Sequence, residues 1–178
     1  MNSGQIFTRS LARGDVYYNI QGSTRDETIR SLSRVVKLPK GLDRKVLSEA
    51  LIEREGLAST AMGEGFALPH PRHQLIKEEA DALVAIGYLD TPVDWASPDG
   101  KPVSVVFLVL SAGVDQHLAT ISALACLTQS EDFKALIKRR PSKSELLALI
   151  PELSSQCDYS GITAASSSPA KTPKARRH

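Results

Sequence analysis

The chain is poor in cysteine, has no long apolar run and carries little excess charge, and each shortage excludes a class of protein. Its two cysteines, Cys126 and Cys157, stand 31 positions apart, one inside a helical pattern and one in a polar tail. That spacing matches neither a disulfide framework nor a zinc site, so a reducing compartment is expected. No stretch approaches the roughly 18 apolar residues of a membrane span. The opening MNSGQIFTRSLARGD is interrupted by polar and charged residues before a signal-peptide core could form. A soluble, cytoplasmic protein without membrane insertion is therefore expected. Lys and Arg number 22 against 20 acidic residues, so charge by itself points to no nucleic-acid partner. The small excess is local: residues 154–178 carry +3, which leaves the body at −1 of the formal net +2. No internal repeat is found.

What is present is one core's worth of apolar residues, 42% of 178, enough for a single domain with a tail. No element is assigned before Thr24. Residues 24–37 place Ile29, Leu32, Val35 and Val36 at helical spacing, with Thr24 as N-cap and Glu27 completing a capping box. A second helix is predicted from Asp43 to Glu55, with Val46, Leu47, Ala50 and Leu51 as its stripe and Gly56 as its stop. Phe66 to Leu68 reads as a short strand, and 82–89 and 102–110 as Val/Ile-rich buried strands joined by a hairpin-type connection. Further helices are predicted over 115–128, with Leu118, Ile121, Leu124, Ala125 and Leu127 inward, and over 131–138 and 142–150. After Leu153 the composition turns to Ser, Thr, Ala, Pro and Lys, as in a disordered tail. The alternation of helices and strands argues an α/β domain over residues 5–153 with a disordered basic tail over 154–178.

The segment GEGFALPHPRH, residues 63–73, concentrates the chemistry. His70 stands between Pro69 and Pro71, whose fixed φ and steric demands stiffen the backbone that presents the imidazole. Gly63 and Gly65 permit positive φ or a close backbone approach just upstream. A histidine is largely neutral and nucleophilic near pH 7, which suits it to receive and release a phosphoryl group without a metal. Such a group spreads charge over three oxygens and needs donors and cations around it. Pro71 has no N–H, so the candidates are the hydroxyls of Ser59 and Thr60 and the guanidinium of Arg54, a fork that matches phosphate oxygens. His117, in the first turn of the third predicted helix, is expected neutral because a helix N-terminus disfavours a cation. His70 and His73 form an H-x-x-H, but with prolines on both sides and no supporting Cys or carboxylate a metal site is not favoured, and no cofactor is implied. Trp95 reads as hairpin packing.

Glu53 to Glu55, Ser59 with Thr60, GEGFALPHPR at 63–72 and DQHLATISALACL at 115–127 together resemble the enzyme IIA domains of the fructose, mannitol and nitrogen-regulatory phosphotransferase class. The resemblance covers roughly residues 5–150, with the motifs in family order and His117 47 positions after His70. It implies a mixed five-stranded sheet with helices on both faces. It also implies that His70 is phosphorylated on Nε2 by phospho-HPr or its nitrogen-branch counterpart, with His117 and Arg54 as the second histidine and the arginine of the site. Many members have glycine where this chain has Pro71, and the tail matches no family motif. Three roles stay open: a regulatory phosphocarrier, a sugar-transport IIA passing phosphate to a separate IIB protein, and a binding module switched by phosphorylation.

Overall fold

The computed structural model describes residues 1–159. Over these, a five-stranded mixed sheet is formed by β1 (Val16–Ile20), β2 (Ala61–Gly63), β3 (Phe66–Ala67), β4 (Leu83–Val93) and β5 (Val103–Leu110), in the order β1-β4-β5-β3-β2. Strands β4 and β5 pair antiparallel, while β1 runs parallel to β4 and β3 parallel to β5. The helices are α1 (Ser3–Arg13), α2 (Arg25–Val35), α3 (Arg44–Leu57), α4 (Val114–Leu127), α5 (Glu131–Lys138) and α6 (Lys143–Ser155).

Because successive strand residues point to opposite faces, the two central strands feed two cores. Val84, Ile86 and Tyr88 with Val105, Phe107 and Val109 face one way, against Phe7 and Leu11 of α1, Leu124 and Leu127 of α4, and residues of α5 and α6. Leu83, Ala85 and Leu89 with Val106, Leu108 and Leu110 face the other, against Ile29 and Leu32 of α2 and Leu47 and Leu51 of α3. The mixed α/β sheet covered by helices on both faces, expected from the resemblance, is what the structure has.

The helix starts follow from local chemistry. Thr24 accepts from the Glu27 N–H at α2, though the Glu27 carboxylate reaches back to the N–H of Ser23 rather than of Thr24. Asp43 accepts from Lys45 and Val46 at α3, and Ser142 forms a capping box with Glu145 at α6.

Several expectations are corrected. Helix α3 runs through Gly56 to Leu57, and α6 continues past Ile150 and Pro151 to Ser155, so the boundary expected at Leu153 falls inside a helix. Val35, Val46 and Leu118, expected inward, are exposed, because each lies beside rather than on the stripe that meets the sheet. Helix α1 and strand β1 lie in the stretch given no element. The largest correction concerns the cysteines. Helix α6 packs against α1 and α4 and delivers Cys157 to Cys126, so that the two form a disulfide with Cα atoms 6.0 Å apart. Spacing in the sequence does not reveal a pairing made by helices meeting in space. The remainder of the expected tail, residues 160–178, lies outside the described residues. Among the described residues no helix is long and apolar enough to cross a membrane.

Candidate phosphoryl-transfer site

Topology brings the two histidines together. Parallel neighbours β3 and β5 end at the same edge of the sheet, with Ala67 opposite Val106. Beyond β3 the ladder continues through the Val109 N–H, which donates to the Pro69 carbonyl at 3.0 Å. His70 therefore leaves the sheet beside β5, and the loop after β5 leads directly into α4 and His117. The crevice at the carboxyl ends of such strands is where open α/β sheets bind ligands. The His70 and His117 rings lie 4.9 Å apart between centroids, inclined by 50°. Both line a shallow cavity of about 240 Å³ together with Arg54, Arg72, Gln74 and Ser111. No carboxylate lines it, so the cavity suits an anion. The uncapped start of α4 at Gly113 and Val114 also borders it, adding the positive end of a helix.

His70 Nδ1 lies 2.7 Å from the Leu68 carbonyl oxygen. A carbonyl can only accept, so Nδ1 carries the proton and Nε2 of the neutral ring holds the lone pair. Burial pushes the His70 pKa below its ordinary value, with the Leu68 carbonyl acting against it, Arg54 adding to the fall and Glu55 opposing it. His117 is lowered to about 4, first by burial and then by the neighbouring His70 and Arg54. The direction matches the argument from the helix terminus, but burial leads. Both imidazoles are thus neutral near pH 7.

Arg54 is in the last turn of α3, where its guanidinium donates to the Ala58 carbonyl at 2.8 Å and still borders the cavity. Ser59 and Thr60 do not line the cavity. The Ser59 hydroxyl donates to the Trp95 carbonyl. Thr60 gives its N–H and its hydroxyl to the two oxygens of Glu55, at 2.6 and 2.7 Å. Local packing has turned these hydroxyls inward, so they support the loop and do not face a phosphate. Gly63 and Gly65 also support it: with Glu64 at φ 55° and Gly65 at φ 83°, the β2–β3 connection is a tight turn that needs positive φ at both central residues. Asp99 braces this turn by accepting from the Glu64 N–H at 2.8 Å, and that bond leads the causes that hold its carboxyl at about 2. His73 borders the cavity, and among the described residues no group of three or more His, Cys, Asp and Glu could hold a metal.

Besides Arg72, which lines the cavity, three residues escaped the sequence reading. Gln74 donates to the Ile76 and Ala112 carbonyls, tying the segment after His70 to the loop before α4. Ser111 lines the cavity, and its buried hydroxyl has no hydrogen-bond partner among the described residues. Glu55 is only 2% exposed. An acidic residue next to Arg54 in a helix pattern was the available signal for the last; Gln74 and Ser111 offered none.

Residues 10–152 match the family model described as "Phosphoenolpyruvate-dependent sugar phosphotransferase system, EIIA 2". A nitrogen regulatory protein of Bradyrhizobium diazoefficiens is 33% identical over 135 residues, covering 72% of this chain and 86% of that protein. The fructose-specific EIIABC component of Bacillus subtilis is 28% identical over 146 residues, covering 80% of this chain but 22% of that protein. The crystal structure of the nitrogen regulatory protein IIA-Ntr of Neisseria meningitidis superimposes with a TM-score of 0.66 at 27% identity, over 83% of this chain and 97% of that one. The mixed five-stranded fold is shared with that structure. The chain belongs to the EIIA 2 family of the phosphoenolpyruvate-dependent sugar phosphotransferase system.

Proposed function

We propose that Nε2 of His70 accepts a phosphoryl group from a carrier of the HPr type or its nitrogen-branch counterpart, with His117 and Arg54 stabilising the group in transit. The observation that carries this reading is the 2.7 Å contact between His70 Nδ1 and the Leu68 carbonyl, which leaves Nε2 unprotonated beside an anion-suited cavity. The Nε2 lone pair forms the new N–P bond as the donor's N–P bond breaks, and that electron pair returns to the donor imidazole. His70 keeps its Nδ1 proton, and the positive charge gained by its ring is held by the Leu68 carbonyl. Arg54 and a donor N–H of neutral His117 meet the charge on the phosphoryl oxygens.

The role is regulatory, in the cytoplasm where phosphoenolpyruvate-fed carriers work. The 33% identity over 135 residues to a nitrogen regulatory protein supports the regulatory role. The second reading, a transport IIA that passes phosphate to a separate IIB protein, draws on the likeness to the fructose-specific component. Incubation with phosphoenolpyruvate, enzyme I and HPr should yield an acid-labile phosphoprotein, absent in His70→Ala. Equal labelling of that variant refutes the proposal. Chase of the label into a IIB cysteine would select transport over regulation.

A further inference from the structure

Behind His70 runs a chain of hydrogen bonds that ends on a buried acid. The Glu55 carboxylate receives three donors: the Thr60 N–H at 2.6 Å, the Thr60 hydroxyl at 2.7 Å and the Trp95 indole N–H at 2.9 Å. Thr60 in turn accepts the Leu68 N–H on its carbonyl at 3.1 Å, and Leu68 accepts from His70 Nδ1. Every link is within hydrogen-bonding distance, and Glu55, Thr60, Leu68 and Trp95 are all buried.

We infer that Glu55 is a positioning residue for His70: by clamping Thr60 it sets the height of the Leu68 carbonyl, and so holds the His70 ring in the tautomer whose Nε2 is free. Three features favour this over a merely structural carboxylate. A buried acid is costly unless fully hydrogen-bonded, and an apolar residue would fill the space without that demand. The donors converge from α3's own loop and from the β4–β5 connection, so one group ties together the segments on either side of the histidine. Glu55 is also the sequence neighbour of Arg54, so the same turn of α3 sets the guanidinium. Its charge further raises the basicity of His70 against the pull of burial.

The kinetic arm of the test rests on the phosphoryl-carrier reading; the spectroscopic arm does not. In unphosphorylated full-length protein, nitrogen-15 shifts of the His70 ring report the tautomer directly. The wild type should show the Nδ1–H form, and Glu55→Ala a mixture, with phosphoryl acceptance from HPr slowed about ten- to hundredfold. Glu55→Gln can keep all three contacts, since its carbonyl oxygen accepts from Thr60 N–H and Trp95 while its amide donates to the Thr60 hydroxyl. It should restore the tautomer while lowering the titration midpoint of His70, a combination that a role in packing alone would not produce. A folded Glu55→Ala with the wild-type tautomer and rate overturns the inference. Should that variant fail to fold, Thr60→Val removes the hydroxyl donor and keeps the backbone one. It is expected to shift the tautomer ratio in the same direction by less, and no shift overturns the inference equally. A wild type that shows the expected tautomers but never labels refutes the phosphocarrier reading and leaves the positioning role standing.

Discussion

The His117 imidazole stands 4.9 Å from that of His70, close enough to share a phosphoryl group between them, yet it belongs to a different element whose start is set by the β5–α4 loop. Removing it while keeping His70 should separate acceptance from stabilisation. His117→Ala is expected to remain phosphorylatable but to react about a hundredfold more slowly, as when one donor to a developing oxyanion is lost. Rapid-quench labelling by phospho-HPr measures this, and an unchanged rate would remove His117 from the site.

Arg54 has two duties, one toward the cavity and one toward the Ala58 carbonyl. Arg54→Lys keeps the charge and loses the planar fork, so transfer should fall about tenfold while stability drops by no more than about 0.5 kcal/mol. Urea unfolding beside the labelling assay tests both. A loss of stability without a loss of rate would reduce Arg54 to a helix-end residue.

His117, with its pKa lowered to about 4, makes stability depend on pH in a defined direction. Between about pH 6.5 and 4 the unfolded chain binds a proton that the folded chain refuses, so stability is fully present above the upper value and falls as pH drops through the window. The ring is partly open to solvent, so its share is on the order of 1–2 kcal/mol. His70 contributes with the same sign. Urea unfolding at pH 7.5 and 5 should show a larger loss for the wild type than for His117→Asn.

The Cys126–Cys157 bond closes a loop across α4, α5 and α6. Reduction or Cys157→Ser should lower unfolding stability by about 3–4 kcal/mol under the loop-entropy model. Thermal unfolding with and without reductant measures it, and thiol labelling of protein taken directly from cells reports whether the bond is made there.

Gly65 has room for a methyl group, the nearest atom to an added Cβ lying 3.6 Å away, but its φ is +83°. Gly65→Ala should therefore destabilise through backbone strain alone, by about 1–2 kcal/mol, and distort the turn that leads into the histidine strand. An unaltered melting temperature would show that the turn relaxes at no cost.

Local rules made much of this protein legible in one dimension. The periodic stripe of Ile29 and Leu32, the helix starts at Thr24 and Asp43, and the Val-rich runs of β4 and β5 all state preferences that neighbours within a few residues enforce. The stiff Pro69-His70-Pro71 presentation is likewise a property of adjacent rings. Helix α1 carries the same kind of local signal, with Phe7 and Leu11 one turn apart behind the Asn2–Gln5 capping box, whereas β1 stayed hidden because it borrows its partner from β4, some 70 residues away. The inward turn of Ser59 and Thr60, the Cys126–Cys157 pairing and the Glu55 clamp were decided in space. The Thr60–Glu55 bonds span just five residues, but the Ser59–Trp95, Trp95–Glu55 and Cys126–Cys157 contacts join segments distant in the chain, and their energies exist only once the fold has brought those segments together.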